Sequence, residues 1–470
     1  MNSLSRCILS LLMSVVFSSS VLGQSFGTGV LFDDAAYESE WSMARGMDFT
    51  DIDTLNAISL KEYAPPAGSQ GAINSCVAWS AGYAALTIYN RVAGQKIEPR
   101  SPLFLYNQLT RAGECNRPQV MNKALELLRD LGDCSYSDFS PPGCDLLPSA
   151  EIKSKATTYR IKDFYTIFSI RDIPEVKIQN TIRSLSSKKP VITAMPIFKN
   201  LETIGKDGLY IPDESSGELS GHAMCVTGFN KDKKLFQLLN SWGKDWGEEG
   251  YCYMRFEDFA RYTKYGFGMV PDITRSLNFT DETVQLGGEF VFKKLFVEDG
   301  QYVFKAANTV LKNGVYYLTE PATTRDHYKL VVQNPKENTY LYVFSFKPNQ
   351  TTELLFPKKI PGTELRELPV MTSGRIKVII PEKPTSAFRP EQVGTDYLCI
   401  LYCDRRIEQF DLKLRAIETS QGTFMERLKT VFADELVPDE EIQYELNTMK
   451  AEVTEGHGRI IPIILAAEVI

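Results

Sequence analysis

Histidine is scarce in this chain, three residues in 470. His327 and His457 have no ligand-spaced partners, so both read as surface residues, and neither a metal site nor a cofactor is expected. Long blocks of like charge are missing as well, and the formal net charge is only −7. A nucleic acid or an anionic membrane surface therefore has nothing to recognise, and the acidic balance speaks to solubility alone. Apolar runs are short everywhere except from Cys7 to Leu22, at the lower edge of what spans a bilayer. With Arg6 before it and Gly23-Gln24-Ser25 after it, that run reads as a secretory signal peptide cleaved after Gly23, with an uncleaved anchor as the alternative. Once it is cleaved no membrane span is expected, and no Cys stands directly after the cleavage point to carry a lipid.

Of nine cysteines, Cys7 is lost with the signal. Cys115, Cys134 and Cys144 cluster in a loop-rich region and are the expected source of a disulfide, which export permits. Cys399 and Cys403 lie about 13 Å apart along an apparent strand, too far to bridge, and read as small core residues. The length implies two or three domains, and 43% hydrophobic with 24% charged residues is ordinary for a globular protein.

Chemistry first shows in Gln70-Gly71-Ala72-Ile73-Asn74-Ser75-Cys76, a loop that turns into a helix rich in Ala and aromatic residues from Val77 to Tyr89. Ser75 is the expected N-cap, which sets the Cys76 sulfur where free backbone N–H groups and the helix dipole favour a thiolate. A thiolate nucleophile needs a base, and the base needs an orienting partner. His222, in Gly221-His222-Ala223, is the only histidine between Cys76 and the end of this region, and Asn240 follows in Asn240-Ser241-Trp242-Gly243-Lys244-Asp245-Trp246-Gly247-Glu248-Glu249-Gly250-Tyr251.

These stretches resemble the active-site segments of papain-like cysteine peptidases. In that family a Gln lies six positions before the nucleophile, as Gln70 does before Cys76, and an N-S-W-G-x-x-W-G-x-x-G-Y run carries the Asn. The resemblance implies that Cys76 attacks a peptide carbonyl, that His222 forms an ion pair with it, that Asn240 orients His222, and that the Gln70 amide with backbone N–H stabilises the oxyanion. It implies further that Trp242 shields the Asn–His hydrogen bond and that Ala194 and Ala223 line an apolar specificity pocket. Ile73 stands where the family has a Cys, so the usual loop disulfide is absent. Val77 replaces the usual Trp, and Arg117-Pro118 replaces the paired glycines that bind substrate backbone. Proline has no N–H to give.

The fold class expected is α+β: a papain-like two-lobed peptidase domain, helical lobe plus β lobe, followed by a mostly β, sandwich-like domain. Residues 1–23 are the signal, 24–57 an extended lead-in, 58–275 the peptidase domain and 276–470 the accessory domain. The lead-in is too short for the family's inhibitory pro-domain. It reads as a flexible terminus, with coverage of the cleft as the alternative. Helices are expected from Ser101 to Leu109 and Asn122 to Arg129, then strands around Val191, His222, Asn240 and Tyr251. Beyond Arg275 strand-like runs alternate with turns and one amphipathic helix, Phe424 to Phe432. A chain ending near Asp272 is expected to fold by itself.

The function expected is that of a secreted or periplasmic thiol peptidase acting on protein or peptide substrates through an acyl-enzyme, with a surface or protein partner left to the C-terminal domain. The alternatives are a catalytically impaired binding protein on the same fold, and a transpeptidase or cell-wall peptide hydrolase using the same residues.

Overall fold

Helix-forming segments precede strand-forming ones in the first half of the chain, and the computed structural model packs them as two lobes. It describes residues 26–43, 47–48, 54–272, 284–333, 335–358, 367–371, 374, 376–381, 386–445 and 449–470. The signal segment and the boundary expected near Arg275 lie outside them.

The helical lobe is built around one continuous helical run, Cys76–Ala78, Trp79–Leu86 and Thr87–Val92, whose middle part is π-helical. Every residue from Cys76 to Asn90 is buried. Gly82 is required there, because a Cβ would lie 2.5 Å from Asp133 Oδ2 and 2.8 Å from Leu105 Cδ1. Helix Pro102–Leu109 starts at Ser101, whose Oγ accepts from the Phe104 N–H and so satisfies one free donor of the first turn. Helix Met121–Asp130 turns Ala124, Leu125 and Leu128 into the core. Cys115 and Cys144 form a disulfide, and Cys134 is free and buried.

The β lobe is a sheet of order Glu367–Leu368, Ser42–Met43, Ile161–Thr166, Tyr265–Pro271, Val191–Phe198, Glu218–Asn230, Leu235–Leu239, Tyr251–Arg255, with Ala57–Ser59 also pairing on Glu218–Asn230. Its centre is buried on both faces and reads as near-continuous apolar sequence.

The lead-in is not a loose terminus. Asp34–Glu38 is a short helix with an Asp33 cap, and Tyr37 is fully buried, stacked on Tyr265 at 4.3 Å and edge-on to Phe267 at 5.0 Å. Burying a whole aromatic ring is worth a few kcal/mol, enough to hold a short segment against its chain entropy.

Beyond residue 284, two sheets face one another around a second core that includes Leu286, Leu330, Leu341, Ile400 and Ile463. This is a sandwich in the sense of two packed layers. Helices Phe410–Thr419 and Phe424–Phe432 cover its outer face, with Phe410 4.5 Å from Tyr342 and Phe424 stacked on Phe346. Only the second of these was expected; it carries the Thr423–Glu426 capping box.

The halves are joined by strand pairing and side-chain contacts. Ser42–Met43 pairs in parallel with Ile161–Thr166 on one side and with Glu367–Leu368 on the other. Arg406 reaches buried Asp163 at 3.3 Å, and Lys189 Nζ donates to Asn338 Oδ1 at 2.6 Å.

Candidate active site

Cys76 opens the central helical run on one wall, with Ser75 at the N-cap position. The Ser75 hydroxyl makes no capping hydrogen bond, contrary to expectation. His222 projects from strand Glu218–Asn230 on the other wall, and the Ala223 backbone next to it faces the thiol. Asn240 follows strand Leu235–Leu239, and His222 Nε2 lies 2.7 Å from Asn240 Oδ1. The same Oδ1 accepts the Ser241 backbone N–H at 2.8 Å. An amide oxygen only accepts, so Nε2 must carry the proton and Nδ1 is left bare. That is the tautomer a base directed at Cys76 needs. Nδ1 is buried and has no hydrogen-bond partner, the thiol included.

Gln70 sits nearby with both ends of its amide engaged. Nε2 donates to the Ile73 carbonyl at 2.7 Å, and Oε1 accepts from Ser241 Oγ at 2.5 Å. Trp242 lies over His222, ring centroids 4.8 Å apart, and Trp246 meets it edge-on. Ala194 and Ala223 are directly paired across the sheet, and Tyr265 pairs with Ala194 from the other side. Direct cross-strand partners share a face, and both small side chains are buried there beside Tyr265.

A strap closes this cleft. Residues 26–32 of the lead-in run through it from Trp242 to Tyr265. Phe26 stacks on Trp242 at 4.7 Å, and Trp242 Nε1 donates to the Gly27 carbonyl at 3.0 Å. The Gly27 N–H donates to Gly71 O, and the Thr28 N–H to Asn74 Oδ1. The Gly29 carbonyl accepts from Gln119 N–H at 2.7 Å, the Leu31 N–H donates to Gln119 O at 2.9 Å, and the N–H groups of Gly29 and Val30 point to Gly221 O. Phe32 reaches Tyr265 at 5.3 Å. Gly27 and Gly29 are the narrow points: a Cβ on the first would lie 2.4 Å from Ile73 O, and on the second 2.3 Å from Asn74 O.

The strap changes the chemistry beneath it. Cys76 and His222 are both 0% exposed. Burial pushes the Cys76 thiol up to about 12, against backbone groups of Ala223 and Val77 that pull the other way. Burial likewise lowers His222 to about 4, opposed by the Asn240 hydrogen bond. In the closed site burial therefore disfavours both charged forms, thiolate and imidazolium. The Gln70 amide donates to Ile73 O rather than to the strap, and the Gly27 carbonyl is turned to Trp242.

The structure brings Gln70, Cys76, His222, Asn240 and Trp242 together between the lobes, while Ala194 and Ala223 lie buried in the sheet beside His222 and line no described cavity. The sequence reading missed Ser241, which joins the Asn240 and Gln70 arms although it lies inside the recognised run. It also missed Gln119, whose backbone supplies on this wall the pairing that Pro118 cannot. The available signal for the strap was the alternation Phe26-Gly27-Thr28-Gly29, two glycines in a segment that otherwise had no reason for them. Among the described residues no group of three or more His, Cys, Asp or Glu converges to hold a metal ion.

A two-lobed domain with a helix-borne Cys facing a strand-borne His–Asn pair is the arrangement of a thiol hydrolase. Residues 60–265 match the family model described as papain family cysteine protease, and this segment is similar to papain-like cysteine peptidase domains. An uncharacterized peptidase C1-like protein of Acanthamoeba polyphaga mimivirus is 24% identical over 200 residues, 41% of this chain and 64% of its own length. Procathepsin L of Felis catus is 24% identical over 221 residues, 46% of this chain and 64% of its own. The chain thus spans a little under two thirds of either curated relative. Among solved structures, xylellain, a cysteine protease from Xylella fastidiosa, aligns with a TM-score of 0.44 at 18% identity, covering 53% of this chain and 96% of its own.

Proposed function

We propose that the chain is a latent, exported thiol peptidase. Cys76 is the nucleophile, His222 the base held by Asn240, and the Gln70 amide with the Cys76 backbone N–H the oxyanion donors. With the strap displaced, water reaches both walls, the desolvation that disfavours thiolate and imidazolium is relieved, and a proton passes from Sγ to His222 Nδ1. The thiolate adds to the peptide carbonyl, His222 returns the proton to the leaving amine, and water releases the acyl-enzyme. The observation that carries this reading is the 2.7 Å His222–Asn240 contact, which leaves the buried Nδ1 of His222 without a partner. Trp242 guards the base. Export rests on residues 1–23, and the sandwich domain is assigned to large substrates or a partner surface.

The sealed cleft favours one second reading, a catalytically silent binding protein on this fold. A thiol-directed epoxide or vinyl-sulfone trap separates the two. In the full chain with Gly27→Ala and Gly29→Ala, an adduct mapped to Cys76 and lost in His222→Ala supports the peptidase. No adduct in the opened chain supports the silent protein.

A further inference from the structure

The 70–75 loop that bears Gln70 also walls a groove of about 430 Å³, whose opposite wall is the 136–142 turn. No strap residue lines it, so it stands open while the catalytic cleft is filled. None of its lining side chains is charged. Trp79, Leu103, Phe139 and Pro141 make the walls, and Tyr136 stands at the rim, 41% exposed, its ring 6.5 Å from Trp79. The turn is held in place before any ligand arrives: the Tyr136 N–H donates to Pro99 O at 2.8 Å, and Ser101 Oγ donates to Phe139 O at 2.5 Å.

Gln70 belongs to both spaces. It lines the groove, and its Nε2 lies 2.9 Å from where a Cβ of strap residue Gly27 would be. A polypeptide passing through the cleft at Gln70 therefore meets the groove as a continuation of the surface the strap already occupies. Resting on the peptidase reading above, we infer that the groove is a substrate subsite for an uncharged segment bearing aromatic or proline rings. Flat rings gain most against Trp79, Tyr136 and proline walls, whereas a carboxylate or ammonium would be desolvated there without a counter-charge. Because the groove is open in the latent chain, such a segment docks before the strap leaves.

The test uses the full-length protein and two probes, acetyl-Phe-Pro-Phe-amide and acetyl-Glu-Ser-Glu-amide, titrated calorimetrically. The apolar peptide is expected to bind at least tenfold more tightly than the acidic one. Tyr136→Ala should weaken it at least tenfold, as should Ser140→Trp, which fills the groove from an exposed position, while Tyr136→Phe retains binding. Equal affinity for both peptides, or full binding by both Tyr136→Ala and Ser140→Trp, overturns the site. In the full chain opened by Gly27→Ala and Gly29→Ala, saturating apolar peptide should raise the KM for a protein substrate. An unchanged KM overturns the assignment to substrate. Absence of any Cys76-dependent turnover is a separate result, and it overturns the peptidase reading itself.

Discussion

Gly27→Ala is the smallest change that should unseal the cleft. Its Cβ would lie 2.4 Å from the Ile73 carbonyl oxygen, a backbone atom that cannot swing aside, so the strap must leave its path and give up the bonds to Gly71 and Trp242. With its thiol at about 12, Cys76 is thiolate in roughly one molecule in 10⁵ at pH 7; at the ordinary 9.0 the fraction is roughly one in 10². Release from burial alone should therefore speed alkylation of Cys76 by up to about 10³-fold, and an ion pair with His222 would add to this. The assay is iodoacetamide labelling at pH 7, with the modified peptide identified by mass spectrometry. Labelling no faster than in the wild type, in a variant whose strap is shown displaced by exposure of Trp242 to a fluorescence quencher, would refute the claim that burial under the strap silences the thiol.

Ser241→Ala should leave Gln70 Oε1 buried without its donor, costing about 1–3 kcal/mol of stability, and should lower kcat of the opened enzyme by no more than the ~10²–10³-fold seen when an oxyanion donor is removed outright; unchanged kcat would show that Gln70 needs no support. His222 is lowered from 6.5 to about 4 in the fold, so its contribution is complete above pH 6.5 and is lost as pH falls toward 4, up to about 3 kcal/mol. Urea midpoints against pH should show a shallower acid limb for His222→Gln, and superimposable limbs would contradict the shift. Arg406→Ala should cost about 3 kcal/mol by stranding Asp163, which is 4% exposed, and would weaken the join between the halves; a thermal midpoint within a degree of wild type would mean that the pair is dispensable.

Where chemistry dictates residue type at fixed spacing, the sequence was legible. Cys76, His222 and Asn240 stand out because the proposed roles of nucleophile, base and orienter call for those residue types, and the helix that carries Cys76 is rich in apolar residues because it is buried on every side. The disulfide could be narrowed to three cysteines but not assigned, since pairing depends on where the 141–147 loop returns. Helix Phe410–Thr419 was hidden by its opening, Phe-Asp-Leu-Lys-Leu, which alternates like a strand; the structure buries Phe410, Leu414 and Ile417 and leaves Leu412 54% exposed, a helical spacing that emerges only over the whole segment. The lead-in was misread for a different reason. Tyr37 is worth nothing locally, and its anchoring depends on Tyr265 and Phe267, more than two hundred residues away in sequence. Likewise the burial that disfavours thiolate and imidazolium is a product of the folded packing, residues 26–32 included, which no motif encodes.

The most direct measurement is hydrolysis of an unblocked protein by the full chain carrying Gly27→Ala and Gly29→Ala, with and without Cys76→Ala. If Cys76 is the nucleophile of a strap-sealed peptidase, the opened chain cleaves the substrate, the wild type cleaves it far more slowly, and Cys76→Ala reduces turnover by about 10⁴-fold or more while the thermal midpoint stays close to that of the opened parent. Turnover that survives Cys76→Ala, or an opened and folded chain that cleaves nothing, would contradict it.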